Sequence, residues 1–202
     1  AAYWLPAVVP ALKDSNHDVR LAAVRALAVL KGEGASELMR PYLSNSDPLL
    51  VVTAASALSE SSNDSDRDAA EAALRRLASD TREQAVPVRL EVARSLGQVG
   101  NQRFRPLLVP LMYDSDLAVA KEAIQSAGRL GPTDFLFVPP LVSLMRNRLL
   151  KGAARQVLVG YLAQLRTSAS PGPLRPRLAA AVGDLDDALT RHLARLDKTS
   201  RR

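Results

Sequence analysis

The 202-residue chain is long enough for one domain or two small ones. Its apolar fraction of 47% with only 4% aromatics leaves Ala, Val and Leu to build the core, which suits close helix packing. With no cysteine and two histidines, His17 and His192, it has no disulfide framework, thiolate zinc site, cysteine nucleophile or multi-histidine metal centre. The net charge of +6 is uneven: residues 1–100 carry 11 Lys/Arg against 13 Asp/Glu, and residues 101–202 carry 16 against 8. No acidic residue stands between Asp134 and Asp184.

No apolar run approaches the 18 or so residues of a membrane span. The chain opens Ala-Ala-Tyr-Trp with no Met and no signal-like start, as a fragment or processed product would, and a cytoplasmic location is expected.

In chain order, the first clear element is an amphipathic helix marked by Val19, Ala23, Ala26 and Leu27. The same offsets of 0, 4, 7 and 8 recur at Leu50, Ala54, Ala57, Leu58 and at Val88, Val92, Ser95, Leu96. They recur again at Val119, Ala123, Ser126, Ala127 and at Leu150, Ala154, Val157, Leu158. At about 100° per residue these offsets form one stripe, so each copy predicts a helix, the second of a repeated pair.

The first helix of each pair has its own marker. Pro10, Pro41 and Pro110 each stand nine residues before a stripe, with Pro140 one position out of register. A recurrent proline predicts a repeated kink. Asp14–Asp18, Ser44–Pro48 and Asp114–Asp116 supply polar turns and caps before the second helices. Gly32, Gly34, Gly100 and Gly131 follow them as expected stops. The third unit is seven residues longer than the others, the excess falling near 59–66 or 80–86. Residues 59–66 read as a loop and about 67–78 as a helix without the proline.

These residues carry a resemblance. Leu5-Pro6, Leu12, Asp14 and the run Asp18–Leu27 resemble a HEAT repeat, as does Val86–Gly97. The near-31-residue period is similar to the short HEAT-like class named after phycobilin lyases, and Phe104–Leu130 is similar to HEAT segments of multidomain bacterial proteins. The resemblance implies an all-α fold: an α-solenoid of about five stacked helix pairs, a HEAT-like superhelix, over residues 1–162. Residues 163–202 are then a linker and a C-terminal capping helix. The usual role of such a stack is to bind other macromolecules.

In such stacks the second helices line the concave face, and offsets 2 and 6 point away from the buried stripe. The partner-binding row is therefore expected at Leu21, Arg25, Val52, Leu90, Arg94, Lys121 and Gln125, continued by Ser56, Gly152 and Gln156. A shallow groove with a few exposed aliphatics suits a protein or peptide partner. The alternative site is basic, at Arg146, Arg148, Lys151 and Arg155, and its partner would be nucleic acid or another anionic surface. At offset 1, Arg20 and Arg89 are expected to bond turn aspartates such as Asp14 or Asp18, in the Asp/Arg ladder that the resemblance implies.

Candidate chemistry is sparse. Asn63–Asp68 resembles a calcium loop only superficially, lacking the sixth-position glycine and the twelfth-position glutamate. HEAT-like DNA glycosylases work through aromatic and acidic groove residues, but the single Trp4 lies outside the groove row. Repeat similarity to the lyases carries no catalytic residue across. No enzyme activity, cofactor or metal is expected, and the chain reads as a scaffold or adaptor module.

The C-terminal region leaves the period. Leu178, Val182, Leu185, Leu189 and Leu196 form an apolar stripe on a helix near 174–196. It is read as a cap on the fifth unit, or alternatively as a seam that makes a monomer a weak dimer.

Overall fold

The computed structural model describes residues 5–30, 32–132 and 135–167. All regular structure among them is helical. The first pair comprises α1 (Leu5–Val8) with a 3₁₀ turn (Pro10–Lys13), followed by α2 (His17–Leu30). The second is α3 (Glu33–Met39) with a 3₁₀ turn (Arg40–Ser44), then α4 (Pro48–Leu58). The third is α5 (Asp64–Ala78), a 3₁₀ turn (Glu83–Ala85) and α6 (Val86–Leu96). A 3₁₀ turn (Gln102–Leu107) with α7 (Leu108–Leu111) precedes α8 (Leu117–Leu130), and α9 (Val138–Leu144) precedes α10 (Lys151–Thr167). The five expected second helices are thus α2, α4, α6, α8 and α10, in an all-α solenoid of helix pairs. The molecule forms two compact units, one ending at Leu107 and one beginning at Leu108. Helix α10 runs on through Thr167, across the boundary expected at 162/163. The helix read at 174–196 and its two alternatives lie outside the described residues.

Proline explains the shape of the first helices. It lacks an N–H and its ring crowds the carbonyl four residues back. Where Pro10 and Pro41 occur, the element breaks into a short α-helix and a 3₁₀ turn. Pro106 lies within a 3₁₀ turn and Pro110 within α7. The third pair lacks the marker, and α5 is one unbroken helix of 15 residues. Pro139 and Pro140 cause no break because they open α9, where an N–H would lack a partner in any case.

The caps follow the turn chemistry. Asp47 accepts from Leu49 N at 3.0 Å, Asn63 from Ser65 N at 2.9 Å, and Asp116 from Ala118 N at 2.9 Å. Because Asn63 is a cap, α5 begins at Asp64, and the loop expected over 59–66 shrinks to 59–63. The extra residues of the third unit are shared between that loop and the turn 79–85. Gly32 and Gly131 take φ of +96° and +76°, a region costly for residues with a Cβ, and stop α2 and α8. Gly34 is not a stop: it lies inside α3.

The buried face is broader than the stripe. Leu50, Ala54, Leu58, Val92, Leu96, Val119, Ala123 and Leu158 are buried as expected. Val24, Ala55, Ala93 and Ile124, one residue beyond the stripe's second position, are each 0% exposed. Val19 departs the other way, at 37% exposure. Helix α2 packs on α1, its 3₁₀ turn, α3 and α4, and Val19, in the first turn of α2, stays at the edge of that packing.

Candidate functional site

Within the first unit, α2, α4 and α6 pack side by side. Their exposed sides enclose a groove of about 650 Å³. Val52, Ser56, Ala57, Ser95 and Val99 contribute to its surface, Ala28 and Val29 lie on α2, and Arg25, Glu60, Glu91 and Gln98 supply its charged and amide groups. The hydroxyls there are satisfied locally. Thr53 Oγ1 donates to Leu49 O at 2.9 Å and Ser56 Oγ to Val52 O at 2.7 Å. Ser56 and Ser95 also meet hydroxyl to hydroxyl, joining α4 to α6. With those groups paired, the groove offers small apolar surface. Val29, 80% exposed, stands on its wall.

The charges lie on α6, α2 and the turn after α4. Glu91 pairs with Arg94 at 2.7 Å, and Glu60 accepts from Gly100 N at 3.0 Å. Arg25 is exposed on α2.

The expected row is only partly the observed one. Arg25 and Ser56 line the groove as expected. Val52 also contributes, but it is 2% exposed and not the protruding aliphatic that the offset argument required. Helix α4 is packed by α2, α5 and α6, and burial on several sides leaves offset 2 covered. Leu21 and Leu90 are half-buried and do not line the groove, and Arg94 lies outside the lining, paired with Glu91. On α6 the lining falls at Glu91 and Ser95, one residue beyond the expected offsets. The small residues at the C-terminal ends of the second helices were the available sequence signal.

The second unit has its own hollow of about 350 Å³ between α8 and α10, lined by Gln125, Gln156, Arg129, Gly160 and Tyr161 among others. Gln125 and Gln156 are where the row expected them, whereas Lys121 is exposed on α8 outside the hollow. Gly128 brings the helices close: a Cβ there would stand 3.0 Å from Val157 Cγ2.

The expected ladder takes a different form. Arg20 Nη1 donates to the backbone carbonyls of Asp14 and Ser15, at 2.9 and 2.8 Å, and not to a carboxylate. Arg89, 1% exposed, donates to Asp80 O at 2.6 Å and Arg82 O at 3.1 Å. Both arginines hold the turn leading into their own helix, where carbonyls lack helical partners. The structural role stands, with backbone carbonyls as acceptors for Arg20 and among those of Arg89, whose charge, after the hydrogen bonds from Arg82, also helps hold the Asp80 carboxyl below its ordinary range.

Arg146, Arg148, Lys151 and Arg155 are all exposed, on the turn before α10 and on its first half. His17, the first residue of α2, lies against Asp18 and against Asp47 of the second pair. Among the described residues no group of three or more His, Cys, Asp or Glu is arranged to hold a metal, and no helix is long and apolar enough to cross a membrane.

No curated protein matches the chain in sequence. Among solved structures, the complex of CpcE and CpcF of phycocyanin lyase from Nostoc sp. PCC7120 is similar with a TM-score of 0.51 at 18% identity, covering 88% of this chain and 75% of that one. The crystal structure of an engineered protein gives 0.49 at 18% identity, covering 96% and 94%. At this identity the likeness to the lyase complex is one of fold alone. The model of HEAT repeats matches residues 5–87 and again 82–159. Those two matches span the same helix pairs that the prolines, caps and stripes delimit, and the chain belongs to the HEAT-repeat family.

Proposed function

We propose that the protein is a binding scaffold whose α2–α4–α6 groove takes a segment of a partner protein. The carrying observation is the groove itself: about 650 Å³ of small, hydrogen-bond-satisfied surface, with an exposed Val29 on the wall. A helix or extended peptide fits such a surface by laying small apolar side chains against Val52, Ala57 and Val99. Glu91 is already paired with Arg94, and Glu60, exposed beside the Gly100 N–H that it accepts from, is the lining carboxylate that a basic residue of the segment would meet. This reading is of a binding module without a catalytic step.

The experiment is site-specific photo-crosslinking in cells, with the photoreactive residue at Ser56, and at Ala72 on α5 as the control position. A discrete adduct at Ser56, absent at Ala72 and lost with Glu60→Lys and Glu91→Lys, supports the reading. Adducts of equal yield at both positions, or indifference to charge reversal, overturn it.

A further inference from the structure

We infer that the α2–α4–α6 groove selects a polyproline II segment that carries an apolar and a basic residue three positions apart. The inference rests on this groove being the partner site, and it starts from the repeat. Val29, Glu60 and Gln98 each stand ten residues after the start of their stripe, at Val19, Leu50 and Val88. All three are exposed, and all three line the groove. Equivalent positions on helices packed side by side form a row across them, here apolar, acidic and amide in turn.

The spacing of that row selects the conformation. Packed helices lie about 8–10 Å apart, axis to axis. A polyproline II chain has three residues per turn and rises about 3.1 Å per residue, so every third side chain meets the row at intervals of about 9 Å. A β-strand repeats a face every second residue, at about 7 Å, and falls out of step. It would also lack a ladder, because the groove is walled mainly by helices, whose backbone groups pair internally and offer no sheet edge. A polyproline II backbone has no ladder to fill. An α-helix returns to one face after seven residues, at about 10 Å, and keeps step, but its girth excludes it. A groove of about 650 Å³ spread over two helix spacings has a cross-section of about 30–40 Å². A helix about 10–12 Å across needs at least twice that.

Glu60 fixes the chemistry. It stands two residues past Leu58, the end of α4, where the helix dipole and the last carbonyls favour a cation and disfavour a carboxylate. One oxygen accepts from Gly100 N at 3.0 Å, and the side chain stays exposed. A basic side chain of the segment relieves that mismatch. Arg25 lies one turn before Val29 on α2 and repels a base there, so the apolar residue falls to Val29 and the base to Glu60. The Gln98 amide can donate to a carbonyl of the segment, which polyproline II leaves open.

The test is a fluorescence-anisotropy titration of the full chain with two labelled peptides, Leu-Pro-Pro-Lys-Pro-Pro-Gln and its reverse, since such a chain can lie in either direction. We expect one of the two to bind. Moving its Lys by one position should weaken binding roughly fivefold, and Glu60→Gln should abolish that preference. Val29→Ser should weaken the Leu peptide and leave a peptide with Ala in that place unchanged. Binding indifferent to the position of Lys overturns the inference. So does tighter binding of an Ala-rich helical peptide with Leu and Lys seven residues apart, which would make the occupant a helix. Failure of both proline peptides to bind overturns it as well. In each of these cases a photo-adduct at Ser56 that is sensitive to Glu60→Lys keeps the groove as the partner site, and its absence removes that reading separately.

Discussion

The two units close the same kind of helix pair by different physics. In the first, charged ties join successive pairs. Arg40 Nε lies 2.5 Å from Asp66 Oδ1 and its Nη2 3.1 Å from Oδ2, while Ser61 Oγ donates to Oδ2 at 2.8 Å. Asp66 is 3% exposed. Farther along α5, Arg103 reaches Glu71 at 2.6 Å and Asp68 at 2.5 Å. In the second unit, shape joins α8 to α10: Gly128 admits Val157, and buried Tyr161 donates its hydroxyl to Ala127 O at 2.5 Å. The Arg129–Glu122 pair lies within α8. The lesson is that one repeat pattern leaves the closing interaction open, so the first unit should respond to pH and the second to side-chain volume.

The largest effect should come from removing volume in the second unit. Leu158, 0% exposed, becomes a cavity in Leu158→Ala, and we expect a loss of about 2–5 kcal/mol in a denaturant melt. Adding volume should cost less. Gly128→Val forces side-chain atoms into Val157 and should lose about 1–3 kcal/mol. Gly160→Ala, on the facing helix α10 and with nothing within 4 Å of an added Cβ, should instead gain about 0.5–1 kcal/mol through helix propensity. If both glycine changes act alike, close approach is not what joins α8 to α10.

A smaller effect should mark the first unit and depend on pH. The Arg40 hydrogen bonds, aided by Ser61, hold the Asp66 carboxyl below the usual carboxylate range, and Arg103, then Arg75, do the same for Glu71. A carboxyl lowered in the folded state stabilises above its unfolded value of about 4 and loses that contribution as pH falls through the lower folded value. The thermal midpoint should therefore hold steady from neutral pH to about 5 and drop below about 4. Arg40→Ala should lower the neutral-pH midpoint by roughly 5 °C and flatten the acid limb. An unchanged acid limb would show that the tie to Asp66 contributes nothing.

How much was legible follows from what is local. The stripes at Val119–Ala127 and Leu150–Leu158 name α8 and α10, because apolar period reports the centre of a buried face. Pro10 and Pro41, against their absence from α5, report where first helices break, because the effect of the ring acts within one turn. Asn63 as a cap was legible in type but was placed inside a loop, because a capping residue and a loop residue look alike until a helix follows.

By itself, the sequence determined the all-helical repeat, the order of its pairs, its kinks and its uneven charge, since each depends on neighbours within a few turns. Only the tertiary structure decided which edge of each stripe is covered. A helix packed on several sides, as α4 is by α2, α5 and α6, buries a wider arc than its strongest period, which hid Val52 and moved the α6 lining to Glu91 and Ser95. It also decided that Arg20 would hold carbonyls in place of carboxylates, and that Arg40 and Asp66, 26 residues apart, would meet. Those pairings depend on how one helix pair is set against the next, and no local period carries that information.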